Sequence, residues 1–209
     1  MIEKTTELVK EILKREGNTN IAVDMTAGNG YDSKFILENL NPKILYAFDI
    51  QKEAKENTED LIGNRDDFKF ILDSHANIDK YIREEIDLAV YNLGYLPRGD
   101  KNITTKEAST LESLEKVLNL LAKNGKVLIT VYPGHEEGFL ESQSLEKYLG
   151  NLDQKDFVVL ELSYKNQKNM PPYVYMVGKK WAYKKVSYIF CRLTLFFSHL
   201  QPYTYRQSL

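Results

Sequence analysis

The chain has 209 residues, of which 43% are hydrophobic and 28% are charged. This length and composition fit one well-buried domain and exclude two full catalytic domains. The formal net charge of −2 excludes the simplest signature of a nucleic-acid-binding protein, a strongly basic chain, although a local basic face is still compatible with RNA.

The predicted elements begin with an amphipathic helix, in which Ile2, Leu8, Val9, Ile12 and Leu13 recur at helical spacing before the stop at Gly17-Asn18. Apolar runs then predict seven strands, at Ile21–Val23, Ile44–Phe48, Phe68–Leu72, Leu88–Tyr91, Val127–Tyr132, Phe157–Leu162 and Tyr173–Val177. Helical patterns between them cover about 32–40, 51–62, 76–83, 104–122 and 135–150.

This alternation predicts an α/β fold with a mostly parallel sheet covered by helices on both faces. The connection Ser163–Pro172 is too short for a crossover helix, so the last two strands are expected to form an antiparallel pair at one edge. The predicted domain spans residues 1–178. Residues 179–209 form an atypical tail rich in aromatic residues, to which we assign no function.

Cysteine and histidine usage limits the other function classes. Cys191 is the single cysteine, and the three histidines are scattered, so neither a disulfide nor a metal site is predicted. The N-terminus lacks the apolar region of a signal peptide, and the longest apolar stretch, 186–197, falls short of the ~20 residues of a membrane span. We expect a cytoplasmic protein without membrane contacts.

A glycine pair follows the first strand, in Asp24-Met-Thr-Ala-Gly28-Asn-Gly30. Such a join is where nucleotide cofactors bind in doubly wound folds. Ser33 occupies the place of the third glycine of the dinucleotide fingerprint. A carboxylate at Asp24 would repel a pyrophosphate, whereas S-adenosylmethionine carries an ammonium and a sulfonium. The charge pattern favours S-adenosylmethionine, with an NAD-dependent oxidoreductase as the alternative.

Two further strands end in acidic residues. Asp49 follows the second strand and can accept both ribose hydroxyls, and Asp73-Ser74-His75 follows the third and could reach an adenine edge. The competing interpretation is that these aspartates cap the following helices. Because the strand ends of an open α/β sheet face one crevice, we favour a shared cofactor site.

The fourth strand runs into Tyr91-Asn92-Leu93-Gly94-Tyr95. This segment resembles the Asn-Pro-Pro-Tyr motif of amino-group methyltransferases, with Leu93-Gly94 in place of the prolines. The Asn92 oxygen and the Leu93 carbonyl can accept amine N–H groups and so aim the nitrogen lone pair, while Tyr95 can stack on a base. The alternative is a simple turn in which Gly94 supplies positive φ.

Polar residues on other loops are candidates for substrate contacts. Tyr132 and His135 follow the fifth strand, and His135 could touch the substrate or accept the amine proton, although a histidine at a helix start is more often structural. Basic side chains at the predicted crevice are candidates for RNA phosphates, namely Arg98, Lys101, Lys165 and Lys168.

Five segments in collinear order over roughly residues 1–178 resemble the YtqB/MnmM family of bacterial methyltransferases, long described as rRNA methylases. They are DMTAGNGYD at 24–32, DSHAN at 73–77, YNLGYLPRGDKNITT at 91–105, VYPGHEEG at 131–138 and NQKNMPP at 166–172. The resemblance implies a Rossmann-like class I S-adenosylmethionine-dependent fold. It also implies methylation of the 5-aminomethyl group of 2-thiouridine at the wobble position, and hence the tRNA anticodon region as partner; a homodimer is left open.

The predicted site has three parts. The catalytic residues are Asn92, Tyr95 and His135. The cofactor-binding residues are Asp24, Thr26, Gly28, Asn29, Gly30, Asp32, Asp49, Gln51, Asp73, Ser74, His75 and Asn92. The substrate-binding residues are Leu93, Gly94, Arg98, Lys101, Tyr132, Asn166, Lys168 and Asn169. The alternatives are methylation of rRNA or of a small-molecule amine, the NAD-binding oxidoreductase, and a non-catalytic RNA-binding module.

Overall fold

A computed structural model describes residues 4–17, 19–94 and 107–180. The helices are α1 Thr5–Leu13, α2 Tyr31–Leu40, α3 Lys52–Ile62, a 3₁₀ helix His75–Lys80, α4 Glu107–Leu120 and α5 Glu136–Gly150. The strands are β1 Ile21–Asp24, β2 Ile44–Asp49, β3 Phe68–Leu72, β4 Ile86–Asn92, β5 Leu121–Val131, β6 Phe157–Leu162 and β7 Tyr173–Lys179.

The seven strands form one sheet in the order β3-β2-β1-β4-β5-β7-β6. The pairs from β3 through β5 are parallel, whereas β7 is antiparallel to both β5 and β6. This confirms the predicted fold class and the antiparallel pair at the edge. The order reverses between β1 and β4, and ligands of open α/β sheets bind at the carboxyl ends of strands at such a reversal.

Alternate residues of the central strands point to opposite faces of the sheet. On β1, Val23 belongs to a core cluster with α4 and α5, whereas Ala22 belongs to a second cluster with α1 and α2. The same alternation separates Ala89 from Leu88 and Val90 on β4. Helices therefore cover both faces, and the polar residues at the strand ends are left to form a site.

Two predicted boundaries are wrong. The segment predicted as helix 76–83 is a 3₁₀ helix that ends at Lys80, with Asn77 in a non-helical conformation. β5 starts at Leu121, six residues before its predicted start and inside the predicted helix 104–122. The polar residues near the start of β5 interrupt its apolar run, but the pairing of β5 with β4 continues past them through a register shift. Asn124 takes a left-handed φ of 65° there.

Candidate active site

A cavity of about 1390 Å³ opens at the carboxyl edge of the sheet. This volume exceeds the ~300–1,000 Å³ of a pocket for one small ligand, so a cofactor and part of a second substrate fit together. The sheet order divides its wall. The cofactor half consists of the wall residues that follow β1, β2 and β3. The acceptor half consists of those that follow β4 and β5 or precede β7, together with Asp32 of α2.

The two glycines after β1, Gly28 and Gly30, have different structural roles. Gly28 lines the cavity with a left-handed φ of 53°. Gly30 has a φ of 78° at the N-cap of α2, and a Cβ there would lie 2.8 Å from Thr58 Cγ2. Thr58 Oγ1 also donates to the Gly28 carbonyl at 3.1 Å. Gly28 therefore exposes backbone to a ligand, while Gly30 lets α3 pack against the loop and is not part of the cavity wall.

Asp24 lies beneath this loop and not on the cavity wall. Its side chain is 1% exposed, with Oδ2 accepting from Ser33 Oγ at 2.6 Å and Oδ1 accepting from the Thr26 N–H at 3.1 Å. Burial, followed by the nearby Asp32 carboxylate, raises the pKa of Asp24 to about 7. The structure thus gives Asp24 and Ser33 a role in holding the loop from below.

Asp49 lies on the cavity wall at the end of β2. Its Oδ2 accepts from the Gly28 N–H at 3.0 Å and its Oδ1 from the Gln51 N–H at 2.9 Å. Each carboxylate oxygen has more than one acceptor position. Both oxygens can therefore take ligand hydroxyls while the backbone fixes their orientation. Asn29 and Gln51 line the wall on either side of this carboxylate.

Asp73, Ser74 and His75 line the same half after β3. Burial acts to raise the pKa of Asp73, but hydrogen bonds from Asn77, Tyr81 and the Ser74 N–H outweigh it and lower that pKa. His75 Nδ1 lies 3.0 Å from the Met25 carbonyl, to which it donates. Burial lowers the pKa of His75, so this ring is neutral near pH 7.

Asn92 ends β4 and joins the two halves. Its backbone N–H donates to Thr26 Oγ1 at 2.8 Å, and its side-chain Nδ2 donates to Asp32 Oδ2 at 3.0 Å. The contact with Asp32 sets the orientation of the amide, because a carboxylate accepts from the NH₂ group and repels the carbonyl oxygen. The Asn92 oxygen is thereby left to accept a hydrogen bond from a ligand.

Gly94 and Tyr132 complete what we call the acceptor corner, formed by Asp32, Asn92, Gly94 and Tyr132. A Cβ on Gly94 would lie 3.8 Å from Tyr132 Cδ2. Burial and then the Asp32 carboxylate raise the pKa of Tyr132, so that it stays a neutral phenol. Leu93 points its side chain into the core at 1% exposure, which leaves only its backbone to serve a substrate.

His135 lines the cavity and is the N-cap of α5. Its Nδ1 accepts from the Gly138 N–H at 3.1 Å, so the neutral ring carries its hydrogen on Nε2. A Cβ on Gly138 would clash with the Tyr132 carbonyl oxygen and would lie 2.8 Å from His135 Cε1, which explains the glycine at this position. In this arrangement His135 can donate to a substrate, whereas accepting a proton would require the cap to break.

The wall opposite β5 comes from elements that are distant in sequence. Thr6 and Lys10 of α1 line the cavity, although sequence reasoning interpreted this helix only as amphipathic and gave no signal for a site. Asn169, a predicted substrate-binding residue, lines the cavity together with Met170. Asn166, Lys165 and Lys168 are exposed on the same loop and do not line it.

Three predicted residues, Tyr95, Arg98 and Lys101, lie outside the described residues, as does the tail 181–209. Within residues 4–17, 19–94 and 107–180, no group of three or more histidine, cysteine or acidic side chains is placed to hold a metal ion. None of the helices in those ranges is long and apolar enough to cross a membrane.

Solved structures with the same architecture define the class of protein. One from Clostridium thermocellum, described as a putative rRNA methylase, has a TM-score of 0.81 and 32% identity, covering 86% of this chain and 99% of that chain. A second, from Streptococcus mutans and described as a putative methyltransferase in complex with S-adenosylhomocysteine, has a TM-score of 0.78 and 35% identity, covering 86% of this chain and 99% of its own. The fold and the site define a class I S-adenosylmethionine-dependent methyltransferase.

The family follows from the sequence comparison. Residues 45–178 match the family model described as "Putative rRNA methylase", and the chain belongs to this family. A curated relative from Arabidopsis thaliana is 29% identical over 195 residues, covering 85% of this chain and 70% of its own. That relative is named tRNA (mnm(5)s(2)U34)-methyltransferase, chloroplastic.

Proposed function

We propose that this enzyme transfers a methyl group from S-adenosylmethionine to the 5-aminomethyl group of 2-thiouridine at the tRNA wobble position. The observation that carries the proposal is the amide of Asn92, held by Asp32 with its oxygen left for a ligand N–H. The name of the Arabidopsis relative supports the choice of substrate. The cytoplasmic compartment stays a sequence-based prediction.

The cofactor half fits S-adenosylmethionine in its donors and charges. Asp49 would accept the ribose hydroxyls, and the segment Asp73–His75 would border the adenine. The carboxylates of Asp32, Asp49 and Asp73 all line the cavity and suit a cationic ligand better than a pyrophosphate. The Gly28 backbone, with its left-handed φ, lets a ligand approach without a Cβ in the way.

In the acceptor corner, the Asn92 oxygen would accept one N–H of the substrate amine. When bound, S-adenosylmethionine supplies an electrophilic methyl group, and the amine nitrogen forms the new N–C bond as the C–S bond breaks. The amine gives up one proton to solvent, and orientation of its lone pair is the main contribution of the protein. The Leu93 carbonyl and Tyr95 remain proposed partners in this step.

The RNA itself would approach from the side of α1 and the loop 163–172. Lys10 contributes a cation to the cavity wall, and Lys165 and Lys168 are exposed beside it. Phosphate contacts of this kind position an RNA without reading its sequence. The anticodon region is the proposed partner, because its unpaired bases can enter a cavity.

The test is mass spectrometry of wobble nucleosides from cells with and without the gene. We expect 5-aminomethyl-2-thiouridine to accumulate and its methylated form to disappear when the gene is deleted. Tritium transfer to purified tRNA, rRNA and metabolite pools distinguishes the alternatives, and transfer to rRNA alone would overturn the proposal.

The cofactor assignment has a separate test. S-adenosylhomocysteine should raise the melting temperature and NAD should not, because a ligand that binds the folded state stabilises it. A shift with NAD alone would return the site to the oxidoreductase alternative.

A further inference from the structure

A second, smaller cavity of about 260 Å³ adjoins the acceptor corner. The two cavities share Thr6, Tyr132 and Pro171-Pro172. The residues that line only the smaller one are Lys4, Thr5, Tyr164 and Gln167. Thr5 Oγ1 donates to the Pro172 carbonyl at 3.1 Å and so joins α1 to the loop at this point. The position at the β5 and β7 end of the sheet places this cavity on the acceptor side, away from the cofactor half.

Two polar side chains, Tyr164 and Gln167, line the smaller cavity. The Tyr164 hydroxyl is buried and has no hydrogen-bond partner among the described residues, whereas buried polar groups in proteins are almost always paired. The Gln167 side chain is exposed and offers both a donor and an acceptor. A ligand with mixed donors and acceptors would pair with Gln167 directly, and it would pair with the Tyr164 hydroxyl after a small shift of that buried group toward the cavity.

We propose that this cavity binds the base of the nucleotide next to the methylated one, an inference that rests on the proposed RNA substrate. Its volume lies below the ~300 Å³ of a pocket for a whole small molecule, which suits one planar ring. Tyr132 lines both cavities, so a base next to the methylated one in the RNA chain would reach the smaller cavity past this side chain. Lys4, at its rim, is the cation for the intervening phosphate.

The experiment compares two substrates that carry the same amine, an anticodon stem-loop with 5-aminomethyl-2-thiouridine and the free nucleoside. Tyr164→Phe removes only the buried hydroxyl, and Gln167→Ala removes the amide. We expect each variant to raise KM for the stem-loop about tenfold, in the range of a lost hydrogen bond, and to leave kcat/KM for the nucleoside unchanged. Gln143→Ala on α5, exposed and away from both cavities, is the matched control.

An unchanged KM for the stem-loop, or equal losses on both substrates, would overturn the inference. The proposed function fails separately, when the wild type methylates neither substrate. Binding of a labelled single-stranded RNA heptamer with S-adenosylhomocysteine present then decides the matter. Weaker binding by Gln167→Ala than by Gln143→Ala supports the subsite, and equal or absent binding overturns it.

Discussion

The two halves of the cavity differ in what holds their functional groups. In the cofactor half, backbone N–H groups of Gly28 and Gln51 fix Asp49. In the acceptor half, one side chain orients another, since Asp32 accepts from the Asn92 amide. Residues of α1 and of the loop before β7 complete this wall.

This difference separates two kinds of specificity. A group fixed by the backbone, such as Asp49, keeps its geometry when surrounding side chains change. Asp73, in the same half, depends in addition on the side chains of Asn77 and Tyr81. The acceptor half depends on a few side-chain pairs, and small substitutions there can change the substrate without changing the cofactor. The predictions below test that separation, from the largest expected effect to the smallest.

The first prediction concerns Asp24, which lies beneath the loop between the halves and feels the charges of both Asp32 and Asp49. The pKa of its carboxyl is about 7 in the folded protein and about 3.9 in an unfolded chain. Between these values the unfolded chain binds fewer protons, so stability falls as pH rises, by up to about 4 kcal/mol.

Asp24→Asn removes this titration and keeps an acceptor for the Thr26 N–H. Its NH₂ group would donate to Ser33 Oγ, which reverses the direction of the bond that Ser33 now donates to Asp24. Urea unfolding from pH 4 to pH 8 should therefore show the wild type losing stability relative to Asp24→Asn. If the free energies of unfolding of the wild type and Asp24→Asn changed in parallel with pH, Asp24 would not be held as a neutral acid.

The second prediction tests the cofactor half. Asp49→Ala removes the two proposed hydrogen bonds to the ribose, each about 1.5–3 kcal/mol for a charged acceptor. Affinity for S-adenosylhomocysteine should fall more than about a hundredfold, as measured by calorimetry. Asp49→Asn, which keeps an acceptor oxygen, should lose less, and an unchanged affinity in Asp49→Ala would remove this residue from the site.

The third prediction tests the acceptor half. Asn92→Ala should cut the single-turnover rate on the order of 100-fold, because the amine is misaligned, while cofactor affinity stays nearly intact. The rate should still rise with pH in both enzymes, since only the neutral amine has a lone pair. A variant that methylates at the wild-type rate would return the Asn92 loop to a structural role.

The fourth prediction separates the two roles of His135. His135→Ala loses the N-cap of α5 and should cost about 1 kcal/mol of stability, whereas His135→Asn should recover most of it. Both variants should keep the pH dependence of methyl transfer, because the Nδ1 lone pair already accepts from the Gly138 N–H. Loss of the pH dependence in His135→Asn would instead identify His135 as the proton acceptor.

The smallest effect is expected from truncation after Lys180. Both halves of the cavity lie within residues 4–180, and β7 ends at Lys179. The truncated enzyme should fold and methylate like the full chain, as judged by thermal unfolding and single-turnover rates. Loss of soluble expression would show that the aromatic tail covers apolar surface of the domain.

The sequence by itself determined the fold class and most of the cofactor half. Apolar runs and helical periodicity depend on local burial, so the seven strands and their α/β alternation were predicted close to their observed positions. Asp49 and Asp73 lie directly at the ends of strands. The backbone arrangement of a parallel sheet brings such ends to one edge, independently of how the side chains pack. At the start of β5, polar residues led to a wrong predicted boundary, because strand pairing with β4 extends past them.

Only the tertiary structure decided which polar groups face a ligand. Asp24 and Asp49 are alike in sequence, but one lies beneath the loop and the other on the wall, because Ser33 of α2 covers Asp24. The pairing of Asp32 with Asn92 spans 60 positions, and the contact of Thr5 with Pro172 spans 167. Contacts over such separations depend on how whole elements pack, and no local pattern in the chain records them.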